Sequence, residues 1–192
     1  MGARGDGRGD GRGERVRAAG LEDHAAIARI ERAAGEMFRG TAMDPIADDE
    51  PPAPRDLERF VARGGAWLVE VAGTARAYLL VEELDDAAHV EQVSVDPEVA
   101  GRRIGARLLD VAADWALARG LARLTLTTFV EIPWNAPHYR RLGFVDLPPH
   151  RHGPQLGVRL REEAAHGLDR WPRTTMMRPV GTLSASRTDR GR

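Results

Sequence analysis

The sequence predicts a mixed α/β fold: a central sheet, mostly antiparallel, with one parallel pair and helices packed against it. Three observations carry this. Apolar residues recur at helical spacing in several segments, three strand-like runs follow one another across short turns, and strand and helix patterns alternate after residue 87. Hairpin-linked strands are antiparallel, whereas a strand–helix–strand step brings the chain back parallel.

The elements follow in order. Val16–Ala18 is a short first strand. Leu21, Ala25, Ile27, Ile30 and Ala34 mark a helix, with Gly35 as its stop. Glu36 to Pro54, acidic and holding four prolines, reads as a long binding loop. Leu57, Phe60 and Val61 face inward from a short helix ending at Gly64-Gly65. Ala66–Val71 and Ala75–Val81 form a hairpin about Gly73-Thr74, and Asp85-Asp86 makes the next turn. In the strand His89–Val95, alternation puts His89, Glu91, Val93 and Val95 on one face and Val90, Gln92 and Ser94 on the other.

A strong helix follows, with Ile104, Leu108, Val111, Ala112, Trp115 and Leu117 on its apolar side and Gly120 closing it. A strand runs through Leu121, Leu124, Leu126 and Phe129. Asn135 is a candidate N-cap for a short helix from His138 to Leu142, stopped by Gly143. Phe144-Val145 begins a strand, a final helix covers Gly157 to His166, and Thr174–Val180 is the last strand.

Length and composition narrow the function. A chain of 192 residues suits one domain, placed at 15–181 between a Gly/Arg/Asp tail at 1–14 and a second tail at 182–192, both expected to be disordered. Arg4-Gly5-Asp6 and Arg8-Gly9-Asp10 repeat an adhesion tripeptide, read here as low complexity. With no Cys, disulfides, thiolate metal sites and a cysteine nucleophile are excluded. All 28 basic residues are Arg, so a Schiff-base lysine and a Walker lysine are excluded too. A net charge of −1 argues against a nucleic-acid binder. There is no apolar run of the roughly 18 residues a membrane helix needs and no signal-peptide core, so a cytoplasmic protein is expected. His150 and His152 lack a carboxylate partner and are read as solvated; no metal is expected.

The chemistry concentrates in two segments. Between Val93 and Leu109 a strand ends at Pro97, and a loop with Gly101, Arg102 and Arg103 opens into a helix near Gly105. The first amides of a helix lack intrahelical partners and sit at its positive dipole end, which suits a pyrophosphate. Gly105 admits an anion close to the backbone. The second segment is Pro133-Trp134-Asn135-Ala136-Pro137-His138-Tyr139-Arg140-Arg141-Leu142-Gly143-Phe144.

Together these resemble motifs A and B of the GNAT superfamily, the acetyl-CoA-dependent N-acetyltransferases, over about 165 residues. The family's loop, Gln/Arg-x-x-Gly-x-Gly/Ala, falls on Ala100 to Gly105, with Ala100 in place of Gln/Arg and Arg103 in place of the first Gly. The resemblance implies the GNAT fold: helices on both faces and the parallel pair splayed where acetyl-CoA, the co-substrate, binds. It implies cofactor contacts from Val93, Ser94, Val95, Gly101, Arg102, Arg103, Ile104, Gly105, Ala106 and Asn135, with the amides of Val93 and Val95 receiving the pantetheine arm and acetyl carbonyl. It assigns Tyr139 as the acid that protonates the CoA thiolate, and draws the base from the strand carrying His89 and Glu91, with Glu91 preferred. Phe38 and Trp134 fall on the acceptor side, where the acids of the 36–50 loop suggest a cationic amine. The implied activity is acetyl transfer to a primary amine, with a non-catalytic acyl-CoA sensor as the alternative. A homodimer stays open, since no segment identifies an interface.

Overall fold

A computed structural model describes residues 9–10 and 13–181. Among the described residues, eight strands and five α-helices alternate broadly as the sequence predicts. The strands are β1 (Gly9–Asp10), β2 (Glu14–Ala18), β3 (Ala66–Val71), β4 (Thr74–Leu84), β5 (Ala87–Val95), β6 (Arg123–Phe129), β7 (Val145–Asp146) and β8 (Arg173–Pro179). The helices are α1 (His24–Gly35), α2 (Pro54–Ala62), α3 (Ile104–Leu117), α4 (Ala136–Arg141) and α5 (Pro154–Ala165). They fall into two compact units, one made of the described residues up to Glu82 with Glu91–Leu109, the other of Glu83–Val90 with the described residues from Asp110 onward.

In the first unit β1, β2, β3 and β4 are neighbours in that order and antiparallel. Ala72 and Gly73 both have positive φ (50° and 78°), the primed turn that matches the twist of a two-residue hairpin. Helices α1 and α2 lay Ile27, Ile30, Leu57 and Phe60 on Ala66, Leu68, Tyr78 and Leu80. Pro54 starts α2, and Asp56 accepts a hydrogen bond from the Ala53 N–H (3.2 Å).

In the second unit the order is β5-β6-β8-β7. Its one parallel register pairs Ala88, His89 and Val90 with Leu124, Thr125 and Leu126. Strands β6 and β8 are antiparallel over seven pairs, from Arg123↔Pro179 to Phe129↔Arg173. No helix among the described residues is long and apolar enough to cross a membrane.

Several boundaries differ from the sequence reading, each for a physical reason. Ordered structure begins before residue 15: Gly9–Asp10 pair with β2, and Glu14 is 2% exposed because Arg102 and Arg107 supply its partners. Residues 1–8, with the first adhesion tripeptide, and the tail 182–192 lie outside the described residues. Gly35 ends α1 as the sequence indicates, but not by turning left-handed. It stays right-handed (φ −59°) inside a chain that continues into a 3-10 turn, Glu36–Phe38. The 36–50 loop is organised by Arg39, whose guanidinium binds Glu36, Asp44 and Asp48.

Leu117 is 52% exposed rather than on the apolar stripe of α3, which runs through Ile104, Leu108, Ala112 and Trp115. At about 100° per residue, Leu117 falls on the far side of the helix from that stripe. Helix α5 starts at Pro154, three residues earlier than the periodicity indicates, because its cap lies outside its own segment. The Asp85 carboxylate, in the β4–β5 turn, accepts from the N–H groups of Gln155 and Leu156 (both 3.1 Å), and Gln155 Oε1 accepts from the Asp85 N–H (2.6 Å).

Candidate active site

The first unit holds the strand end and the phosphate-type loop. The Asp96 N–H donates to the Arg76 carbonyl (2.8 Å). Successive residues of a strand direct their amides to opposite edges, so Val93 and Val95 aim theirs away from β4. Asp96 then starts the loop, its carboxylate accepting from the Glu98 N–H (3.1 Å). Val99 is buried, and Gly101 and Arg103 both take left-handed backbone, φ 78° and 60°. Glycine adopts this conformation without steric penalty, and an arginine at roughly 1–2 kcal/mol. The position where the family motif carries its first Gly is thus one whose backbone favours glycine.

Ile104, 2% exposed, anchors the first turn of α3. Gly105 lies against the end of β5: a Cβ there would meet only Val95 Cγ2, at 3.6 Å. Ala106 is partly exposed on the next position. Arg102, half-exposed, lies 3.6 Å from the buried Glu14 carboxylate, and Arg107 pairs with the same carboxylate. Neither Glu14 nor Arg107 was singled out in the sequence. The signal for Arg107 is its spacing of four from Arg103, one helical turn on.

Glu91 is partly exposed, and its Oε1 lies 3.8 Å from the Arg59 guanidinium of α2, which also stands 3.7 Å from the buried Glu82. Phe38, in the 3-10 turn after α1, is partly buried, and its carbonyl accepts from the Thr41 hydroxyl (2.7 Å). Of the acids expected to make a cationic-amine rim, which also include Asp49 and Glu50, Glu36, Asp44 and Asp48 pair with Arg39.

The second unit holds the remaining candidates. His89 does not share Glu91's surroundings, although alternation put them on one face. It is 1% exposed and shares a hydrogen bond with Thr125 Oγ1 (3.0 Å). Burial, and then the positive charges of Arg159 and Arg173, lower its pKa to about 3. It is therefore a neutral, internally matched group at ordinary pH.

Tyr139 lies on α4, its ring edge-to-face with Phe144 (5.7 Å) and His138 (6.0 Å). Burial of the phenol pushes its pKa up to about 12. Asn135 stands at the N-cap of α4, where its carbonyl accepts from the Tyr139 N–H (3.0 Å), but its side chain makes no cap hydrogen bond. Asn135 thus holds the N-cap position read from the sequence without the side-chain hydrogen bond expected there; the carbonyl bond is the first of the helix itself. Arg178 braces the other end of α4, donating to the Leu142 carbonyl (3.2 Å). Trp134 is partly buried just before the helix.

The sequence profile of the acetyltransferase (GNAT) family matches residues 27–144. An IAA acetyltransferase of Azospirillum brasilense is 28% identical over 123 residues, covering 64% of this chain and 76% of that protein. Among solved structures, the PaiA N-acetyltransferase of Thermoplasma acidophilum, in complex with coenzyme A, superposes with a TM-score of 0.64 at 13% identity, over 86% of this chain and 98% of the other. N-acetylglutamate synthase of Neisseria gonorrhoeae, complexed with coenzyme A and N-acetyl-glutamate, gives 0.66 at 16% identity, over 87% of this chain and 35% of that one. A mixed sheet with one parallel pair, a glycine-favouring loop before a long helix, and this profile define a class: the chain belongs to the acetyltransferase (GNAT) family.

Proposed function

We propose that this protein transfers the acetyl group of acetyl-CoA to the primary amine of a small molecule by direct attack in a ternary complex. The observation that carries the reading is the β5–α3 passage: amides of Val93 and Val95 aimed away from β4, left-handed backbone at Gly101 and Arg103, and Gly105 against the strand end. The amide ends of α3 would receive the pyrophosphate beside Arg102 and Arg103. The Val93 N–H would polarise the acyl carbonyl, as an oxyanion donor does.

In the reaction the amine nitrogen forms a bond to the thioester carbon, and the carbon–sulfur bond breaks. Glu91 takes the amine proton, directly or through one water, and Tyr139 returns a proton to the departing thiolate. A phenol with its pKa pushed up to about 12 stays protonated throughout the neutral range, as a proton donor must. Glu91 is preferred to His89 as base because His89 is enclosed and tied to Thr125. Phe38 and Trp134 are assigned to the acceptor side by the resemblance alone.

The test is acetyl-CoA binding by calorimetry, with CoA release followed across a panel of primary amines. Binding with amine-dependent release is expected. Binding without release from any amine would favour an acyl-CoA sensor, and no binding would overturn the reading. Tyr139→Phe is expected to lower kcat by roughly 10²–10⁴ with CoA affinity near wild type. An unchanged kcat would remove Tyr139 from the acid role.

A further inference from the structure

Glu31 sits one helical turn after Ile27, on the face of α1 that packs on the sheet, so a carboxylate occupies a position in the apolar stripe. Its partners account for it. Oε2 accepts from the Tyr78 hydroxyl (2.6 Å) and from the Ser94 hydroxyl (2.6 Å). Oε1 accepts from the Gln92 side-chain amide (2.9 Å), which also donates to Ser94 Oγ (3.0 Å). Tyr78 is fully buried and Ser94 is 5% exposed. Burial and the facing carboxylate raise the Tyr78 pKa well above its ordinary value, so the phenol stays a donor. Hydrogen bonds to an ionised acceptor are shorter and roughly twice as strong as neutral ones.

The two β5 residues held this way, Gln92 and Ser94, flank Val93. With both side chains fixed on α1, the strand cannot rotate about its axis, and the direction of the Val93 N–H is set. The same helix also holds the residue that follows the strand: Asp96 Oδ2 accepts from Arg29 of α1 (3.1 Å), and from Arg76 of β4 (2.8 Å).

We propose that Glu31 is a positioning residue for the acyl-thioester, fixing through Gln92 and Ser94 the aim of the Val93 N–H at the acyl carbonyl. This rests on the acetyltransferase reading above. It separates Glu31 from residues that only stabilise the fold, because the aim of that one donor matters to an acylated ligand and not to CoA, which has no carbonyl there.

The experiment compares the full-length wild type, Glu31→Ala, Glu31→Gln and the double variant Glu31→Gln/Gln92→Glu. It measures kcat and KM with acetyl-CoA and the best amine of the panel, calorimetric affinity and stoichiometry for CoA, and thermal unfolding. Glu31→Ala is expected to lower kcat about 10- to 100-fold, less than the roughly 10²–10³ for removing an oxyanion donor outright, because the Val93 N–H is misaimed and not lost, with CoA affinity within about twofold of wild type. Glu31→Gln keeps an oxygen for Tyr78 and Ser94 but sets its NH₂ against that of Gln92, and an intermediate loss of about 3- to 10-fold is expected. The double variant restores a donor–acceptor pair and should recover most of that loss.

If wild type acetylates amines and both single variants match its kcat, this proposal alone is overturned. It is equally overturned if kcat falls only in proportion to lost CoA-binding sites, since that marks unfolding. Should Glu31→Ala not fold, Glu31→Gln and its rescue decide the matter. A wild type that releases no CoA with any amine overturns the acetyltransferase reading and this proposal together.

Discussion

The first half of β5 and the second half do different things with the same alternation. Ala87, Ala88, His89 and Val90 are each 4% exposed or less, and three of them pair in parallel with β6. There the polar side chain, His89, is matched inside by Thr125 and kept neutral by burial. From Glu91 onward every residue except the buried Ser94 is only partly buried: Glu91 approaches Arg59, Gln92 and Ser94 reach Glu31, and Val93 turns its amide away from β4. Two ionisable residues two positions apart thus differ in kind. One is packing that happens to carry an imidazole, and the other is a partly exposed carboxylate beside a guanidinium.

The largest effect should separate these two directly. Glu91→Gln is expected to cut kcat by roughly 10²–10⁴, the range for losing a general base, with little change in unfolding temperature. His89→Gln should leave kcat within about threefold of wild type. A large kcat loss in a folded His89 variant would erase the contrast between the halves.

The next effect sharpens the comparison by pH. The unfolded chain protonates His89 near pH 6.5, whereas the folded protein holds it neutral down to about 3. The stability tied to its neutral form is therefore present above pH 6.5 and is lost as pH falls toward 3. The loss is on the order of 4 kcal/mol by linkage. The difference in stability between wild type and His89→Gln, followed by denaturant titration from pH 7 to 3, should show this slope. A difference that does not vary with pH would mean the imidazole titrates normally.

The smallest effect lies just past the strand, at Arg103. Relief of the left-handed backbone should make Arg103→Gly more stable than wild type by up to about 1 kcal/mol, while Arg103→Ala, with the same Cβ, should gain nothing. Equal stability of the two variants would mean that the loop relaxes elsewhere.

Much of the fold was legible because periodicity and turn chemistry agreed: the three-strand run, the parallel step and the long α3 all lie where the pattern put them. Two of the errors have one physical source, contacts from distant segments. The start of α5 was missed because its cap, Asp85, sits 70 residues away from Gln155. Order at Glu14 was missed because its stabilising arginines lie on another element. In the candidate segments, the loop before α3 and the short helix carrying Tyr139 lie where their motifs put them, whereas the surroundings of His89 and Glu91 could not be told apart. Alternation gives the face of a strand but not what covers it. Glu31 left a faint trace, a carboxylate four residues after Ile27 in an apolar stripe, whose meaning depends on Tyr78, Gln92 and Ser94.

The cap of α5 also bears on how the chain is made. Synthesis proceeds from the N-terminus, so the β4–β5 turn leaves the ribosome long before the twelve residues of α5. A helix of that length is marginal by itself in water. Its first turn emerges to find the Asp85 carboxylate already in existence, so vectorial synthesis supplies the acceptor before the donors. A circular permutant that translates α5 first would reverse that order and leave the helix waiting for its cap.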